Sequence, residues 1–79
     1  MTEALDTATT SLIRALTDIG SPVERYEAAE ELKARIDREV KLVKAEVAKS
    51  LYSGRSWAAV GKLLGVTGSR AEQISRAAR

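Results

Sequence analysis

SWAAVGKLLGVTGSRAEQISRAAR, residues 56–79, is the stretch whose spacing decides the fold. Its centre is Gly65 between Leu64 and Val66, where a chain leaving one helix takes a left-handed backbone conformation that glycine adopts without penalty. Four residues earlier, Gly61 falls on the inner face of the first helix, where a crossing helix leaves no room for a larger side chain. Val60, Leu64, Val66, Ala71 and Ile74 stand at −5, −1, +1, +6 and +9 from Gly65 and supply the apolar plugs. Ser56 is placed to cap the first helix and Thr67 the second, which Gly68 and Ser69 open. A lone Gly-containing turn would signify only a helical hairpin. The joint filling of these positions predicts a helix-turn-helix, with a recognition helix over residues 68–78.

The run GRSWAAVGKLLGVTGSRAEQISR, residues 54–76, resembles region four of bacterial sigma factors and the small single-motif DNA-binding proteins of actinobacteria and their phages and plasmids. In these a Gly-x-Ser-Trp start leads to an Ile-Gly or Val-Gly pair, then Leu-Gly-Val-Ser or Leu-Gly-Val-Thr, then a helix bearing Arg and Gln. The resemblance covers roughly the last third of the chain. It implies a helix-turn-helix that binds nucleic acid, and no particular operator. The other sigma regions are not in this sequence, so a complete sigma factor is not expected.

The rest of the composition narrows the function. With 79 residues there is room for one small domain with a modest core, which favours help from oligomerisation. The absence of Cys and His removes thiol chemistry, zinc-finger ligation and imidazole acid–base catalysis. No enzyme, metal site or cofactor is therefore expected. Neither a membrane-spanning apolar run nor a secretory leader is legible, which predicts a cytoplasmic, nucleoid-associated protein. The net charge is only +2, but residues 1–31 carry −5 and residues 32–79 carry +7. In the last 26 residues Arg55, Lys62, Arg70, Arg76 and Arg79 face a single acid, Glu72. A solvated basic face is common in small domains; here the charge coincides with the motif, as in a surface that tracks phosphates.

The periodicity is that of an all-α chain, an N-terminal helical hairpin whose long second helix leads into the C-terminal helix-turn-helix. Leu5, Thr9, Leu12, Leu16 and Ile19 follow the four-three spacing of a packing seam, predicting a first helix over 3–19 ended by Gly20. Ser21-Pro22-Val23-Glu24 is a helix start: Ser21 caps, Pro22 has its φ preset, and Glu24 completes a capping box. No breaker follows until Gly54, so the second helix spans 22–52, a rod of roughly 45 Å at ~1.5 Å per residue. Leu32, Ile36, Val40, Val43, Val47 and Leu51 mark one face of it, with Glu31–Arg35 and Asp37–Lys41 as i, i+4 pairs on the polar side. Val40, Val43, Val47 and Leu51 are expected to pack against Trp57, Val60, Leu64 and Ile74. Trp57 is read as core, with stacking on a nucleobase as the alternative.

These features divide the chain into a dimerisation hairpin over 1–38 and a DNA-binding unit over 39–79. Two helices alone bury too little, and a second copy makes a four-helix bundle. The dimer contacts expected are Leu5, Leu12, Leu16, Ile19, Tyr26, Leu32 and Ile36. On the recognition helix Arg70 suits guanine, Gln73 adenine and Glu72 a cytosine amino group, unless Glu72 instead pairs with Arg76. Arg55, Lys62, Thr67, Ser69 and Arg76 suit phosphates. The expected function is a homodimeric regulator of transcription, a repressor at an inverted repeat in double-stranded DNA. The alternatives are a helical adaptor, its acidic hairpin docking RNA polymerase or another regulator, and an architectural nucleoid protein.

Overall fold

The computed structural model describes residues 2–78. The chain forms four α-helices: α1 (Glu3–Thr17), α2 (Pro22–Tyr52), α3 (Trp57–Leu64) and α4 (Gly68–Ser75). No strand occurs among the described residues. Each helix starts on a hydroxyl that accepts from a backbone N–H of the first turn. Thr2 Oγ1 accepts from Leu5 at 3.3 Å, Ser21 Oγ from Glu24 at 3.4 Å, Ser56 Oγ from Ala59 at 3.2 Å and Thr67 Oγ1 from Arg70 at 3.1 Å. The chain divides into two compact units, residues 1–35 and 36–79, and α2 contributes to both.

In the first unit α1 stops at Thr17, two residues before the expected end at Ile19. The Asp18 N–H still makes an α-type bond to Arg14 O at 2.9 Å, and the chain then tightens, with the Ile19 N–H on Leu16 O at 3.2 Å. Gly20 is not the terminator, because positive φ among the described residues is confined to Gly54 and Gly65. The turn is held instead by Arg25, whose Nε and Nη2 both donate to the Ile19 carbonyl, at 3.0 and 2.9 Å. No described residue of this unit is buried; Leu16, Ile19, Ala28, Ala29 and Leu32 are half-buried. Leu5, Leu12, Ile13, Val23 and Tyr26 are exposed, Tyr26 by 69%.

The second unit has a core of small residues. Ala45 and Ala48 of α2, Val60 and Gly61 of α3, and Ala71 and Ser75 of α4 are buried, and α3 and α4 are packed together. This corrects the expected face of α2. Ala45 and Ala48 are 1% and 0% exposed, whereas Val43 is 63% exposed and Val40 and Val47 are also exposed. At ~3.6 residues per turn Ala48 lies about 100° around the helix from Val47, so the buried strip is a neighbouring face, not the valine stripe. Alanine there permits close approach of the packing partners and loses no side-chain entropy on burial. Val43 and Val47 stand at the rim, where with Leu64, Val66 and Ile74 they line a shallow apolar groove.

Past Tyr52 the chain turns through Gly54, at φ 73°, and the Arg55 N–H bonds Tyr52 O at 2.9 Å. The Tyr52 and Trp57 rings stack with centroids 3.9 Å apart and planes 13° from parallel. This favours the packing role for Trp57, which is half-buried. Helix α4 closes at Ser75, three residues before the expected end. The Arg76 N–H reaches Gln73 O at 3.1 Å and the Ala77 N–H reaches Ile74 O at 3.5 Å, the i→i+3 pattern of a terminating turn.

Candidate nucleic-acid interface

Three glycines fix how α4 leaves α3. Gly65 caps α3 at φ 73°, ψ 29°, and its N–H bonds Gly61 O; the Val66 N–H bonds the same carbonyl at 2.8 Å. This is the left-handed termination that glycine favours. A Cβ on Gly61 would lie 2.6 Å from Val66 O and 2.7 Å from Thr67 C and O. The backbone pressed against Gly61 is thus the turn itself, not the crossing helix that the spacing suggested. The close approach between the two helices falls at Gly68, whose Cβ would lie 3.0 Å from Ala58 N and 3.2 Å from Trp57 C. Sequence reasoning gave Gly68 no packing role.

With its frame set this way, α4 buries Ala71 and Ser75, half-buries Ile74 and Glu72, and leaves Ser69, Arg70, Gln73 and Arg76 exposed. Arg70, Gln73 and Arg76 recur every third residue and so follow one side of the helix. Arg70 offers a guanidinium fork and Gln73 a donor–acceptor amide, the two groups that pair bidentately with guanine and adenine edges. Glu72 accepts from Arg76 Nη2 at 2.8 Å. That pair is largely exposed, with the Arg76 side chain 71% accessible, so separating it to reach a cytosine or a phosphate costs ~0–1 kcal/mol. Ser75 turns its hydroxyl inward and donates to Glu72 O at 2.6 Å.

The residues expected on phosphates are distributed as follows. Lys62 is exposed on α3 and Ser69 is exposed on the first turn of α4. The Thr67 oxygen is occupied as acceptor by the cap, which leaves its O–H as the group able to donate to a phosphate. Arg55 donates through Nη1 to Leu51 O at 3.0 Å, closing the end of α2. Its demonstrated contact is structural. Arg79, counted in the basic C-terminal run, lies outside the described residues.

Two cations to which the sequence assigns no site role, Lys41 being legible only as the i, i+4 partner of Asp37, belong beside these. Lys41 and Lys44 of α2 share a groove with Arg70 and Gln73 of α4, and Asp37 lies in the same groove. The signal that joins them is their i, i+3 spacing within a Lys-rich helix. Of the residues expected in a dimer contact, Leu5, Leu12 and Tyr26 are exposed and Leu16, Ile19 and Leu32 half-buried within the first unit, while Ile36 is exposed and begins the second. No helix of the described residues is long and apolar enough to cross a membrane. Comparison with protein-family models, curated proteins and solved structures finds no match for this chain.

Proposed function

We propose that the chain is a homodimeric helix-turn-helix protein that binds duplex DNA and regulates transcription, acting as a repressor that occludes a promoter. The observation that carries this reading is the exposed side of α4, where Arg70, Gln73 and Arg76 project from a helix whose start is fixed by the Thr67 cap, Gly65 and Gly68. A helix held by that much backbone constraint delivers its side chains to base edges in a defined register. Lys62, exposed on α3, supplies sequence-independent attraction to phosphates.

Dimerisation follows from the first unit. A helical hairpin without one buried residue among those described gains little from folding alone, and its exposed Leu5, Leu12, Ile13, Val23 and Tyr26 gain by meeting a second copy. Two copies about a two-fold axis read two half-sites about one helical turn, or a multiple of it, apart. The acidic balance of residues 1–31 disfavours contact of that segment with phosphate.

Fluorescence-anisotropy titrations with random-sequence and genomic duplexes at two salt concentrations test the reading. A marked preference for one genomic duplex, weakened as salt rises, is the expected result. Uniform binding to every duplex would replace the regulator with an architectural protein, and failure to bind any duplex would replace it with a helical adaptor.

A further inference from the structure

We infer that Lys41 and Lys44 of α2 form a phosphate clasp along the Arg70 side of α4, and that Asp37 opposes it. The inference rests on the DNA-binding reading of α4 and adds a second element to it. The three cations and Asp37 line one groove, which also contains Gln73, the residue suited to adenine. A helix that inserts Gln73 toward base edges has a sugar–phosphate strand along each flank, because the major groove is only ~12 Å wide. On the Arg70 flank, the side chains available to meet that strand are those of α2.

Lys41 and Lys44 are one helical turn apart and point along the same side of α2. Two ammonium groups so placed match successive anionic oxygens of a nucleic-acid backbone, and carry no sequence information themselves. Asp37 Oδ2 bonds Lys41 Nζ at 3.3 Å, and both side chains are about two-thirds exposed, at 66% and 67%. An i, i+4 pair that open to water is weak, so a phosphate displaces the carboxylate from Lys41. Once displaced, the Asp37 charge faces the incoming phosphate. It therefore lowers affinity for all duplexes alike, which restrains binding to non-cognate DNA without altering base readout.

The test uses the full chain with its preferred duplex and a scrambled one, titrated across a salt series. Lys41→Ala and Lys44→Ala should each weaken both duplexes by roughly three- to tenfold near 0.1 M salt, and reduce the log–log salt slope by about 0.9 per protomer. Lys44→Arg should retain binding. Asp37→Asn, of the same size without the charge, should tighten both duplexes by about two- to fivefold with the preference between them unchanged, since it removes a repulsion and no base contact. Circular dichroism melts of all four variants should match the parent, because the altered side chains are exposed.

If Lys41→Ala and Lys44→Ala bind like the parent with the same salt slope, while Arg70→Ala weakens binding, the clasp is wrong and the reading of α4 stands. Asp37→Asn that weakens or leaves binding unchanged refutes the opposing role of the carboxylate. A parent chain that binds no duplex removes the clasp along with the function it serves.

Discussion

Replacing Gly61 with Ala adds one methyl group, and the geometry dictates where it goes. The new Cβ would sit 2.6 Å from the Val66 carbonyl oxygen and 2.7 Å from two backbone atoms of Thr67, about 0.8 Å inside ordinary van der Waals contact at 3.4 Å. All three obstacles are backbone atoms of a turn, so no flexible side chain can swing aside. Overpacking of this kind costs ~1–3 kcal/mol. Relieving it by moving the turn strains the hydrogen bonds from Gly65 and Val66 to Gly61 O, each contributing ~0.5–1.5 kcal/mol. The better helix propensity of Ala returns only ~0.5–1 kcal/mol. The net expectation is a loss of about 2 kcal/mol, a fall in Tm of roughly 8–16 °C for a domain of this size. The single Trp of the chain, Trp57, lies in the same unit and reports its unfolding by fluorescence. Gly20→Ala is the control, since its Cβ meets nothing within 4 Å and its φ is not positive; it should leave the melt unchanged or raise it slightly. A Gly61→Ala melt within ~2 °C of the parent would refute the argument from close approach.

If the proposed dimer forms through the first unit, charged residues at both Leu12 and Leu16 should leave monomers or unfolded chains by analytical ultracentrifugation, because a charge on a seam covered by the second copy has no partner; an intact dimer would show that the interface lies elsewhere. Ser56→Ala and Thr67→Ala should each lower stability by ~1 kcal/mol, since each removes the acceptor of a helix-start N–H, at 3.2 and 3.1 Å. Urea titrations that place both variants on the parent curve would contradict the capping assignment.

The turn between α3 and α4 was legible because its residues are constrained one by one. Gly65 is required by a backbone angle, Ser56 and Thr67 by orphan N–H groups, and Val60 and Ala71 by burial. Pro22 and Ser21 marked the start of α2 for the same kind of reason. The face that α2 buries was not legible. Ala45 and Ala48 have the composition of any exposed helix, whereas the valines beside them draw attention by hydrophobicity while sitting at a rim. The turn that follows α1 is held by the Arg25 side chain, six residues beyond the Ile19 carbonyl it binds, and no local pattern announces such a contact. Gly68 was read only as an opening residue of α4; that its hydrogen faces Ala58 is a fact of packing between helices, absent from local spacing. For the candidate site, the exposed character of Arg70, Gln73 and Arg76 followed from the inward placement of Ala71 and Ile74, while the groove that α4 shares with Lys41 and Lys44 is a feature of the folded second unit and not of local spacing.

The central claim is that the exposed side of α4 reads base edges in duplex DNA, and affinity ratios in the Gln73→Ala and Arg70→Ala variants test it most directly. Each substitution should cost on the order of 1–3 kcal/mol on the preferred duplex and much less on a scrambled one, so that the preference between them collapses. Lys62→Ala, measured in parallel, should weaken both duplexes similarly and flatten the salt dependence, as expected of a phosphate contact. If Gln73→Ala and Arg70→Ala leave the preference between the two duplexes unchanged, α4 is not the sequence reader, and the account of this protein as a sequence-specific regulator fails.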